Sequence, residues 1–156
     1  MKKVLVSACL LGERVRFDGK DKGVQNEVLR RWLAEGRVVK VCPEVAGGLS
    51  VPRPPAERQP DGRVLTDTGV DVSEAFNTGA VAALRLVLEN EIGVAVLKEG
   101  SPSCGSGFVY DGSFTKTKLP GEVGETTRAL KTSGVAVFSE LQWAEADAAL
   151  KASEGG

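Results

Sequence analysis

Histidine is missing altogether from this 156-residue sequence. That single absence removes Ser–His and Cys–His dyads, imidazole acid–base catalysis and every histidine-ligated metal. Proton transfer must fall instead to Asp, Glu, Lys, Tyr, Cys or water. A long apolar run is also lacking. Nothing approaches a membrane span and the amino terminus has no signal-peptide pattern, so cytoplasmic residence is expected. Charge of one sign is not in excess either: the net charge is −1, with no basic stripe, which disfavours a large nucleic-acid footprint while leaving a small-molecule substrate open. No GxGxxG or GxxxxGK[ST] pattern occurs, which weakens nucleotide binding. Cysteine is sparse and odd in number, at three, so a disulfide framework is not expected.

What is present is ordinary globular composition, 42% hydrophobic and 26% charged, in a length that fits one domain over residues 1–156. Short apolar runs predict strands at 4–6, 37–41, 93–97 and 134–138. Helical spacing predicts helices at 24–35, stopped by Gly36, and at 73–90, with Ser73 or Asp71 as the cap. A short helix is expected near 124–133 and a last one from Ser139, which is its cap candidate, with the terminal "SEGG" read as a frayed end. Two long loops, 42–66 and 98–123, carry Pro and Gly. Asp-Gly pairs at 18–19, 61–62 and 111–112 mark tight turns or hairpins. Continuously apolar strands alternating with helices imply a small doubly wound, Rossmann-like α/β fold. Its mainly parallel sheet would have four or five strands and helices on both faces.

Cys9 follows the first strand in "VLVSAC", Cys42 the second in "VVKVC", and Cys104 the third in "VAVLKEGSPSC". Each lies beyond the carboxyl end of its strand, and in a parallel sheet those ends share the edge where ligands bind. Three converging thiolates without imidazole suit a soft metal centre. A structural zinc usually takes a fourth protein ligand, and an iron–sulfur cube normally four cysteines; a cube held by three leaves one iron open as a Lewis acid. Simple packing of each cysteine competes with that idea. Two further alternatives use the same residues: an anion- or nucleotide-binding module built on "GSPSCGSG", and a zinc or thiol redox protein.

The segments "SACLLGERVRFDG", "VCPEVAGGLSVPRPPAE", "LKEGSPSCG" and "YDGSF" together resemble the DUF523 family, whose characterised members are TudS-type thiouracil desulfidases. The likeness runs from Val4 to about Glu140 and includes all three cysteines. It implies a [4Fe-4S] cluster held by Cys9, Cys42 and Cys104, and a reaction that takes sulfur from a thiolated pyrimidine or nucleoside to leave the oxo base and hydrosulfide. It gives catalytic roles to Glu44, as the base for water, and to Ser101. Lys98 is expected to help hold Glu44 or an anionic substrate. Ser103 is expected to be structural, Arg53 and Glu57 to pair across their loop, and Asp18 and Asp111 to serve turns.

Overall fold

A computed structural model of the chain describes residues 1–20 and 22–155. In chain order it contains β1 (Val4–Ser7), a 3₁₀ turn (Ala8–Leu11), α1 (Glu27–Ala34), β2 (Val38–Val41), α2 (Pro43–Ala46), β3 (Ala56–Arg58) and β4 (Val64–Thr66). There follow α3 (Ser73–Asn90), β5 (Val94–Leu97), β6 (Phe108–Tyr110), β7 (Lys118–Pro120), α4 (Glu125–Thr132), β8 (Ala136–Ser139) and α5 (Trp143–Gly155). Four strands pair in the order β2-β1-β5-β8, all parallel, so the doubly wound expectation holds. The chain moves outward from β1 to β2, then returns to lay β5 on the other side of β1. That reversal opens a crevice at the carboxyl ends of β1 and β5.

Period-two alternation divides the sheet's side chains between two cores. Val4, Val6, Val94 and Val96 face α1 and α5, where they meet Leu29, Trp32, Trp143, Ala146 and Leu150. Leu5, Ala95 and Leu97 face the other way, toward Ala83 and Val87 of α3 and Leu130 of α4. Every residue of β1 and β5 is buried, which is why β5 and the first three residues of β1 read as unbroken apolar runs.

α3 spans 73–90 as expected, while the starts of α1 and α5 and the caps differ from expectation. α1 starts at Glu27 because the Asn26 side chain accepts from the amides of Val28 (2.8 Å) and Leu29 (3.4 Å). Neither Ser73 nor Asp71 caps α3. The N-cap is Val72; Asp71 accepts from the Ser73 amide and Ser73 Oγ accepts from Val64 N, tying the helix start to β4. Ser139 ends β8 and caps no helix; its Oγ accepts from Leu141 N, and α5 begins only at Trp143. The carboxyl end is helical through Gly155 rather than frayed, with Glu154 paired to Arg37; Gly156 lies outside the described residues. Within the long loops, β3–β4 and β6–β7 form two antiparallel hairpins, the first turning at Asp61-Gly62.

Candidate active site

β2, β1 and β5 are adjacent and parallel, so whatever follows them meets at one edge. Cys9 sits in the 3₁₀ turn directly after β1. Cys42 is the residue after β2 and the N-cap of α2. Cys104 lies in the loop after β5. All three are free thiols and all line one cavity of ≈ 650 Å³. Pro43 at the first helical position suits its missing N–H and fixed φ, so the chain turns into α2 immediately beyond Cys42.

The sulfurs sense one another. Burial, then the neighbouring Cys42 thiol, pushes the Cys9 thiol up to about 11. Cys104 is raised further, first by burial and then by Glu44, Cys9 and Cys42. Cys42 is raised as well, mainly by burial, although the Val45 amide works in the opposite direction. Lys98 and Arg16 favour the Cys9 thiolate. Ser7 Oγ accepts from Lys98 N at 2.9 Å and donates toward Cys104 Sγ at 3.9 Å. Among the described residues, no three of these side chains or of the acids crowd around a point as a single metal ion requires.

Glu44, in the first turn of α2, reaches the same cavity. Arg53 grips its Oε2 through Nη2 (2.5 Å) and Nε (3.1 Å), while Ser101 Oγ donates to its Oε1 at 3.3 Å. Ser101 Oγ is itself oriented, accepting from the amides of Ser103 (2.9 Å) and Cys104 (3.0 Å). Two amides occupying its lone pairs leave the hydroxyl hydrogen free to point at Glu44. Arg53 is almost wholly buried in its turn, its other guanidinium contacts going to the carbonyls of Ser50 and Val15.

The structure thus brings Cys9, Cys42, Cys104, Glu44 and Ser101 to one place, and it corrects several pairings. Arg53 holds Glu44, not Glu57, because Glu57 is turned toward the β6–β7 hairpin and accepts from Gly112 N and Phe114 N. Lys98 does not hold Glu44; its ammonium pairs with Glu140 at 3.2 Å and donates to the Glu99 carbonyl. Ser103 is structural, sharing a 2.8 Å hydroxyl contact with Thr126 of α4. Asp18 and Asp111 serve turns, accepting from Lys20 N and Ser113 N. Sequence reasoning did not find the rest of the cavity wall, where Arg16, Phe17 and Lys22 of the segment before α1 meet Tyr110 at the end of β6 and Lys116 of the β6–β7 turn. No spacing along the chain signals that gathering; only the fold creates it.

Three comparisons relate the chain to known proteins. The family model for 2-thiouracil desulfurase matches residues 4–142. "Uncharacterized protein YbbK" of Bacillus subtilis (strain 168) is 38% identical over 146 residues, covering 88% of this chain and 95% of that protein. A solved structure of the [4Fe-4S]-dependent thiouracil desulfidase TudS superposes with a TM-score of 0.93 at 51% identity, covering 97% of this chain and 99% of that one. This chain belongs to the 2-thiouracil desulfurase family.

Proposed function

We propose that the chain, working as one domain over 1–156, is a [4Fe-4S]-dependent desulfidase that takes sulfur from a 2-thiouracil-like pyrimidine or its nucleoside. The observation that carries this reading is the meeting of three free cysteines from three adjacent strand ends with the Glu44–Ser101 pair in one cavity. The donor set fits the cofactor. Three free thiols lining one cavity, with no imidazole in the chain, match iron–sulfur chemistry. Cys9, Cys42 and Cys104 would hold it; when bound, a cluster with only three protein ligands supplies a thiophilic, Lewis-acidic iron for the substrate sulfur.

The net reaction exchanges the sulfur of C=S for the oxygen of water and releases hydrogen sulfide, with no electrons gained or lost. The chain's own residues manage the proton. Glu44 is anchored on one oxygen by Arg53 and steadied on the other by Ser101, so its carboxylate has a fixed direction and a free lone pair for water. It takes a proton from that water as the oxygen attacks the ring carbon, and returns a proton to the departing sulfur. Ser101 keeps the acceptor in line with the ring. Phe17 and Tyr110 supply apolar wall against which a flat ring rests. Three unpaired thiols and an oxygen-labile cluster suit a reducing compartment, and we assign the cytoplasm, with a small molecule rather than nucleic acid or membrane as the partner.

The test is anaerobic reconstitution followed by incubation with 2-thiouracil and 2-thiouridine without added reductant. Sulfide released in step with the oxo base supports the reading. Protein that binds zinc but no iron, or that holds iron yet releases no sulfide from any thiopyrimidine, contradicts it.

A further inference from the structure

Glu99 takes no part in the chemistry above, yet it is the most heavily hydrogen-bonded acid beside the site. It follows β5 and opens the loop that carries Ser101 and Cys104. Its Oε1 accepts from the amides of Ser106 (2.8 Å), Gly107 (3.0 Å), Gly100 (3.2 Å) and Phe108 (3.4 Å). Its Oε2 accepts from Gly107 N (3.1 Å) and Ser106 Oγ (3.4 Å). Successive backbone N–H groups converging this way form a concavity suited to an anion, and here the chain provides the anion itself. A Cβ on Gly107 would lie 2.9 Å from Glu99 Oε2, so the carboxylate lies directly against that backbone. The side chain thereby closes residues 99–108 into a ring, with Ser101 and Cys104 inside it. Glu99 N also donates to Glu140 Oε1 at 3.0 Å, fixing the base of the ring to the end of β8.

We propose that Glu99 is a positioning residue for the desulfidase reaction. Its carboxylate acts as a built-in anion whose closure of the loop sets both the Cys104 sulfur and the Ser101–Glu44 hydrogen bond. The inference rests on the proposed function for its catalytic consequence; the loop closure itself does not. Charge-assisted bonds to several amides make the negative charge matter, and not only the shape. Gly107 is exposed and Glu99 only partly buried, so a small anion from solvent can reach the amides once the side chain is removed.

The experiment is chemical rescue. Glu99→Ala, Glu99→Gln and a surface control, Glu89→Ala, are reconstituted anaerobically and assayed with formate, or with neutral formamide, in the buffer. Glu99→Ala is expected to lose about tenfold or more in kcat, the scale of one charge-assisted hydrogen bond, with a smaller change in KM. Formate restores a large part of the loss and sharpens the visible spectrum of the bound cluster, whereas formamide does neither. Glu99→Gln, which keeps the size but not the charge, is impaired and gains nothing from formate. In the cluster-free chain, amide exchange at Ser106, Gly107 and Phe108 speeds up in Glu99→Ala and slows again with formate; if the alanine variant does not fold, the Gln variant is judged by the same exchange. Wild-type turnover in Glu99→Ala, or rescue equally by formamide, overturns the proposal. Wild-type protein that takes up no iron overturns the proposed function instead, and unchanged exchange in that case overturns the loop closure too.

Discussion

At the scale of single residues, the site is a set of groups that are each weak alone and are made useful by their neighbours. Glu44 is an ordinary carboxylate until Arg53 fixes one oxygen and Ser101 the other. Glu44→Gln keeps the shape and removes the proposed base, so kcat should fall by ~10²–10⁴-fold with iron content unchanged, measured by sulfide release and iron analysis on the same sample. Arg53→Lys cannot reproduce the two-nitrogen grip, and a smaller loss of kcat is expected with the cluster retained. The cysteines carry a pH signature of the cluster-free chain. Burial and then Cys42 raise the Cys9 thiol from the ordinary 9.0 to about 11. An unfolded thiol ionises first, so the folded state holds its full advantage below pH 9.0 and loses it as pH rises through about 11. The melting temperature of cluster-free protein should therefore fall across that window, and Cys9→Ser should flatten the slope. The convergence of the cysteines is legible in the sequence because each follows a strand end, whereas Glu44 and Ser101 stand out through the family resemblance. The partner of Arg53 is not legible: Glu57 is the nearer acid along the chain, and only the fold of the 42–56 loop turns the guanidinium back to Glu44.

Elements position those residues through close backbone contact. A Cβ on Gly79 in α3 would fall 2.0 Å from the Pro43 carbonyl oxygen, and one on Gly47 the same distance from the Ala75 oxygen. The short α2, which carries Glu44 and follows Cys42, is thus pressed backbone to backbone onto α3. Gly79→Ala must push α2 away, costing about 1–3 kcal/mol by overpacking. It should also depress activity more than Val87→Ala, a core truncation lower on the same helix; denaturant melts and turnover of the two variants check this. On the opposite face, Trp32 of α1 donates to Asp147 of α5 at 3.1 Å, and Arg31 and Lys151 pair with the same carboxylate. Burial alone would raise that carboxyl, but these partners hold it below the usual carboxylate range. Its contribution is present at neutral pH and lost as pH falls through its lowered value. Asp147→Ala should cost about 1–3 kcal/mol at pH 7, read from urea unfolding, with a smaller difference from wild type in acid. The sheet and the main helices were readable from period and burial. Of the two hairpins, the Asp-Gly turns at 61–62 and 111–112 are legible, but the flanking strands are not, since each is three residues long and too short to display alternation.

For the whole molecule, parallel topology turns sequence distance into spatial proximity. Cysteines 33 and 62 positions apart meet because β2, β1 and β5 are neighbours whose carboxyl ends open on one side. The central claim is that these three sulfurs hold one cube with one iron left for the substrate. ⁵⁷Fe Mössbauer spectroscopy of anaerobically reconstituted protein, before and after addition of 2-thiouracil, tests it most directly. About four irons per chain should be present, with a single site shifting when the thiopyrimidine is added and the other three unchanged. Four equivalent irons indifferent to 2-thiouracil, or a chain that retains no iron at all, would contradict it.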